Sequence, residues 1–317
     1  MNIVRFLKDW TLPVSMTVGS LLYALFAFVP ALEPAGDFFA PIIYTLFPIA
    51  LFVTLLTTFC KVDFRKMMPT RWQLGVTLTQ YGIVGLLLGM ILLFDIQGMP
   101  RLLLASLLTC AIAPCASAAP TVTNKLGGNL HQMTFYVIVS SLLSAIIIPL
   151  VFPLVEPHAD ISFLAAFLSI MKRLCLVLVL PLILGWIVHH DIPHIYRWIK
   201  RHSNLPFYTW AFNLAITSGI TIRNIFHAKT SAFVLLIIAF SSLLLCLTLF
   251  SLGWAQGKQM GHRIEAGQAQ GQKNTALAIW IASAYLHPVA ALGMGFYVLW
   301  QNIVNSIELW RQRKLTE

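Results

Sequence analysis

Runs of about 20 apolar residues recur along the whole chain, and no other feature constrains the fold as much. Such a run is long enough to cross a bilayer as a helix, the one form in which a single segment satisfies its own backbone there. Ten runs are legible, near residues 12–32, 40–60, 73–94, 100–126, 132–155, 163–189, 205–225, 230–254, 267–287 and 289–308. The chain is 58% hydrophobic and 10% charged, against about 25% charged in soluble proteins, too few charges to cover a water-facing surface. No polar stretch is long enough for a separate soluble domain, so residues 1–317 read as one all-α polytopic membrane domain. The opening MNIVRFLKDW and its apolar run resemble a signal peptide, yet the run is long enough to span and the topology needs it. The sixth run is the least regular. Lys172 and Arg173 fall inside it, so residues 162–172 read alternatively as an interfacial helix leading into a shorter span.

The net charge of +10 fits basic cytoplasmic loops better than a nucleic-acid surface. With the N-terminus inside, the cytoplasmic segments carry Arg5, Lys8, Lys61, Arg65, Lys66, Arg71, Lys125, Arg197, Lys200, Arg201, Lys258, Arg263, Arg311, Arg313 and Lys314, which is 15 of the 21 Lys and Arg. Only Arg101, Arg223 and Lys229 fall outside, and Lys172, Arg173 and Lys273 are ambiguous. This bias predicts that both termini are cytoplasmic.

Two spans break the pattern. The fourth reads TCAIAPCASAAPTVTNKLGGN, where Pro114 and Pro120 each remove a backbone donor and crowd the preceding turn. The ninth contains GQAQGQKNTALA, with Gly271 between amides. Interruptions at matching places in two halves point to an inverted-repeat secondary transporter. The expected halves are residues 1–158 and 159–317, with five spans each, an odd number that inverts the second half. The commonness of Pro and Gly in membrane helices is the plainer explanation of the same residues.

Enzyme chemistry finds little support. Every acid except Glu265 falls in a loop or near a terminus, so no buried carboxylate pair is expected. HExxH, GxSxG and phosphate-binding glycine loops are absent from the sequence. Five cysteines without a CxxC read as reduced core residues. His189, His190, His194 and His202 crowd one segment, where an interfacial role fits better than metal ligation. No cofactor or metal is expected.

Polar chemistry is left at the two breaks, where unwound backbone must bind neighbouring helices, water, an ion or a substrate. Thr121, Thr123, Asn124 and Asn129 are available at the first break. Gln268, Gln270, Gln272, Asn274 and Thr275 are available at the second. Gln80 is a lone amide in the third span; Asn213, Ser218 and Ser140-Ser141 are similar but more easily structural. Lys273 stands out, because an ammonium inside a bilayer costs at least about 2.5–3.5 kcal/mol unless paired or hydrated. Entry near Glu265–Gly267 places it about 9–12 Å deep, beyond easy snorkelling.

At these residues the chain resembles the bile acid:sodium symporter family. KVDFRKMMPTRW is similar to the family's basic loop after the second span. APCASAAPTVTNKLGGN is similar to its CPGGxxSNxxTYLARGN segment, with Pro114, Thr123, Gly128 and Asn129 in register. GQKNTALAIWIA is similar to GMQNSGLAxxLA, with Gly271, Asn274, Leu277 and Ala278 in register, and WQNIVNS to WHNISGS. The resemblance implies ten helices in two inverted five-helix repeats, with helices 4 and 9 broken and crossing, and a panel rocking against a core. It also implies a sodium site near Gln80. Departures stand where the family binds sodium: Ala269 for a glutamate, Lys273 for a glutamine, Ala119 and Pro120 for a Ser-Asn pair, Met133 and Val137 for two hydroxyls.

The expectation is a secondary transporter of a small organic anion in a bacterial inner membrane, with weak or no sodium coupling. Lys273 would replace the cation, bind the anion or exchange a proton, so the expected partners are the lipid bilayer, the anion and, for any coupling, Na+ or H+. Sodium-coupled symport, a non-transporting sensor or scaffold, and an intramembrane enzyme are the alternatives.

Overall fold

A computed structural model describes residues 11–60, 68–157, 162–202, 205–227 and 230–316. Arg5, Lys8, Lys61, Arg65, Lys66 and Lys229 of the charge pattern lie outside the described residues, as does most of the KVDFRKMMPTRW loop. The described residues are helical throughout, apart from connections and one isolated β-bridge.

The helices are α1 (Thr11–Phe28), α2 (Glu33–Phe59), α3 (Arg71–Leu93), α4 (Gly98–Ile112), α5 (Ala119–Lys125), α6 (Leu130–Val155) and α7 (Phe163–Leu174). They continue as α8 (Leu180–Asp191), α9 (Pro193–Arg201), α10 (Leu205–His227), α11 (Ala232–Gln259), α12 (Arg263–Gly271), α13 (Thr275–Tyr285) and α14 (Pro288–Thr316). Local signals set several starts. Asn129 caps α6 by accepting the Gln132 N–H, and Ser162 and Ser231 do the same for α7 and α11. Five segments are long and apolar enough to cross a membrane: Pro30–Phe59, Arg71–Leu93, Leu130–Val155, Phe163–Asp191 and Ala232–Gln259. Pro13–Phe28, Gly98–Ile112 and Thr275–Tyr285 are shorter apolar helices. The protein is a multi-pass membrane protein.

Several sequence readings are corrected. The second helix starts at Glu33, not near residue 40, because Pro34 sits in its first turn, where proline lacks nothing it needs. Phe163–Asp191 runs on past Lys172 and Arg173 through a π-helical turn at Cys175–Val179, without stopping at an interfacial helix. The histidine-rich segment is not a loop: His189 and His190 end α8, His194 lies in α9 and His202 follows it. Glu308, near the C-terminus as expected, lies within α14, which continues to Thr316.

Packing follows from small residues and apolar faces. A Cβ at Gly19 would lie 1.9 Å from the Ala215 carbonyl oxygen, so glycine there lets α1 and α10 approach closely. α10 also packs on α2. The largest apolar cluster joins the second half of α2 to α3, α4, α6 and α11–α14, with Phe59, Trp72, Tyr136, Phe250 and Tyr297 fully enclosed. Large apolar side chains such as Leu78, Leu86, Leu236 and Phe240 face outward, as a lipid-facing surface requires.

Candidate functional site

The two interrupted segments meet. α4 ends at Ile112, and Ala113 turns to φ −57°, ψ 138°, the extended geometry forced on a residue before proline. The break therefore lies over residues 113–118, and Pro120 does not interrupt the helix but occupies the first turn of α5. On the other side α12 ends at Gly271, and residues 272–274 are non-helical, with Gln272 extended, before α13 starts. Gly271 is thus the last helical residue, and glycine is needed there because a Cβ would lie 2.3 Å from the Phe250 ring.

The two extended pieces pair antiparallel, with Cys115 opposite Lys273. The Ala116 N–H donates to the Gln272 carbonyl at 2.9 Å, and the Asn274 N–H donates to the Pro114 carbonyl at 2.8 Å. Each break thereby satisfies backbone groups that the other exposes. Side chains satisfy the rest. The Gln80 amide donates to the Ala111 and Ala113 carbonyls at 3.1 and 3.0 Å. Ser140 Oγ accepts the Cys115 N–H, and Ser144 donates to the Ile112 carbonyl. Tyr297 donates to the Gly271 carbonyl at 2.8 Å. Gln301 reads the Lys273 backbone twice, accepting its N–H at 2.9 Å and donating to its carbonyl at 3.3 Å. Asn274 caps α13 through the Leu277 N–H. Gln80 and Asn274 therefore hold backbone, while Ser144, Tyr297 and Gln301 are functional supports that the sequence reading did not single out. WQNIVNS contained the signal for Gln301, an amide within a helix that must face a break.

Lys273 is 0% exposed, and its Nζ has no hydrogen-bond partner. It lies two residues past the end of α12, in the non-helical stretch before α13. Gln270 and Gln272 are also fully buried with unpartnered amides, and Gln268 donates to the Glu308 carboxylate at 2.6 Å. Thr275 is buried at the start of α13.

The remaining candidates lie at the outer end of α5, away from the crossing. Asn124 and Asn129 are exposed, and Asn129 serves as the α6 cap. Thr123 is buried with its hydroxyl unpartnered. Glu265, the one acid expected away from loops and termini, is 7% exposed and accepts the Asn129 N–H at 2.6 Å, which ties α12 to the loop after α5.

A narrow crevice, with room for little more than one water molecule, borders the crossing. Lys273, Asn274, Thr275 and Ser117 line one side, and Leu51 of α2 with Trp210, Asn213 and Thr217 of α10 line the other. Positions 210, 213, 214 and 217 form one helical stripe, a pattern that would have flagged Asn213 in the sequence.

At the positions where the family resemblance implies oxygen ligands, Met133, Val137, Ala119 and Ala269 are fully buried and carry none. The Gln80 amide nitrogen is engaged by carbonyls, and its oxygen lies 3.5 Å from the Tyr136 hydroxyl. At those four positions the side chains offer a sodium ion no oxygen. Among the described residues no His, Cys, Asp or Glu cluster is placed to hold a metal.

Apolar helices, with two interrupted segments paired in the interior and a polar crevice beside them, define a multi-pass membrane protein with a polar centre. The model of the sodium bile acid symporter family matches residues 48–263, more than half of the chain, and the protein belongs to that family. It is a transporter of the bile acid symporter type. The match includes the first break and ends before the second, so Lys273 lies beyond it. No curated protein matches the chain.

Proposed function

We propose that the protein carries a small organic anion across a bacterial inner membrane by alternating access, with weak or no sodium coupling. In this reading the ten helical segments form two inverted five-helix repeats, both termini are cytoplasmic, and the crevice between the crossing and α2/α10 opens to either side in turn. The observation that carries it is Lys273: a buried lysine whose Nζ has no hydrogen-bond partner, at the pairing of two broken helices and among the residues that border the crevice. A cation so placed attracts an anion and repels a metal cation, and the buried Met133, Val137 and Ala269 offer sodium no oxygen. Gln80, Gln272, Asn274 and Thr275 support the site as amides and hydroxyls at the crossing.

The test is uptake of carboxylates into proteoliposomes with and without an imposed sodium gradient, at matched membrane potential. Uptake that a sodium gradient leaves unchanged is expected. Uptake driven by sodium, and still so driven in Lys273→Ala, would instead establish sodium symport, the activity the family's name describes. Absence of flux for any carboxylate would leave a sensor or scaffold.

A further inference from the structure

α9 leads from the end of the Phe163–Asp191 span into α10, and its composition is unlike either. The chain bends at Ile192, and Pro193 opens the new helix. At about 100° per residue, Ile195, Trp198 and Ile199 fall on one side of α9, and His194, Arg197, Lys200 and Arg201 on the other. Ile199 is 5% exposed and seats the helix on the protein, whereas Ile195 and Trp198 beside it are 41% and 54% exposed. His189 is a second anchor: its ring meets the Cys60 carbonyl at 3.1 Å and packs on Tyr196 with 4.5 Å between centroids. Arg197, Lys200 and Arg201 are exposed, and among the described residues none of them pairs with an acid. Between residues 189 and 202 the sequence holds a single acid, Asp191.

We infer that α9 is a docking site for the headgroups of anionic phospholipids. A helix that follows directly on a span lies at the membrane edge, where exposed Ile and Trp beside cations suit the boundary between acyl chains and headgroups. Its apolar side continues the lipid-facing surface, since Ile183 and Trp186 in α8 are 50% and 47% exposed. Its other side carries three lysines and arginines against one acid, so the layer it complements is negatively charged. An acidic soluble protein would match the cations and leave Ile195 and Trp198 in need of a second cover. An anionic leaflet meets both sides of the helix at once. This docking is independent of Lys273 and of the solute carried.

The test titrates purified full-length protein, in an uncharged detergent, with phosphatidylglycerol or with phosphatidylcholine of the same acyl chains, and follows the unfolding midpoint. Phosphatidylglycerol is expected to raise the midpoint at the lower concentration, and added salt to shrink the difference. A cation near an anionic lipid surface is worth about fivefold in affinity, so Arg197→Gln, Lys200→Gln and Arg201→Gln together should weaken the phosphatidylglycerol response by roughly 100-fold. The phosphatidylcholine response and the midpoint without lipid should stay as they are, because all three side chains are exposed. Lys258→Gln, Arg311→Gln and Lys314→Gln together remove the same charge elsewhere and should keep the preference. Equal responses of the wild type to the two lipids overturn the inference. So does a preference that survives in the α9 triple variant, or one lost equally in both triple variants. Glycerol phosphate, a headgroup without chains, should have no effect at matched concentration; a response equal to that of the lipid would replace membrane docking with a soluble-anion site.

Discussion

Replacing Lys273 with methionine should make the protein more stable and inactive. The side chains are similar in length, and methionine fills the same buried space without a charge. In the wild type the ammonium is wholly enclosed, and no protein group hydrogen-bonds to its Nζ. The cost of such a charge at a helix centre is about 2.5–3.5 kcal/mol. Methionine abolishes that cost, and the backbone bonds of residue 273 to Gln301 are unaffected by the change. A gain of about 2–3 kcal/mol corresponds to a rise of roughly 3–5 °C in the unfolding midpoint of a chain this size. The assay is thermal unfolding in detergent, beside carboxylate uptake into proteoliposomes made with the same protein. A midpoint that falls would mean that the amine has a structural partner, and a variant that still transports would remove Lys273 from the mechanism.

Gln80→Leu should lower the midpoint, because the carbonyls of Ala111 and Ala113 lose their donor together; each lost bond is worth about 0.6–1.7 kcal/mol in a membrane protein, and an unchanged midpoint contradicts the assigned role. Gly271→Ala should reduce folded yield through a clash with Phe250 worth about 1–3 kcal/mol. Adding Phe250→Ala should restore part of that yield, which size-exclusion profiles would report, and failure of the pair to recover would place the strain elsewhere.

The positions of both breaks were legible because Pro114 and the amide-rich run before Thr275 are local signals. What each break binds was not legible. The pairing of Ala116 with Gln272 and of Asn274 with Pro114 is between backbones some 160 residues apart, and no side chain encodes it. Pro120 misled for a physical reason: proline interrupts a helix interior yet opens a helix comfortably, and sequence alone does not say which turn it occupies. Gln301 and Tyr297 were hidden, and Asn213 read as structural, because one polar side chain on an apolar helix looks the same whether it joins helices or faces a site. Helix ends beyond the apolar runs, as at Glu33 and from Glu308 to Thr316, went unread because water-exposed turns carry no hydrophobic signal. The resemblance to the symporter family was readable from spaced motifs on both sides of the molecule, and the family match confirms it over residues 48–263.

The bridge between Cys115 and Lys273 is made by main-chain atoms alone. Its geometry is therefore indifferent to what residue 273 carries, provided the neighbouring backbone stays extended. A chain built this way can exchange the chemistry at its centre by a single codon while the architecture around it stands still. Ion dependence and anion preference become properties that drift or adapt separately from folding, and one scaffold can serve many solutes.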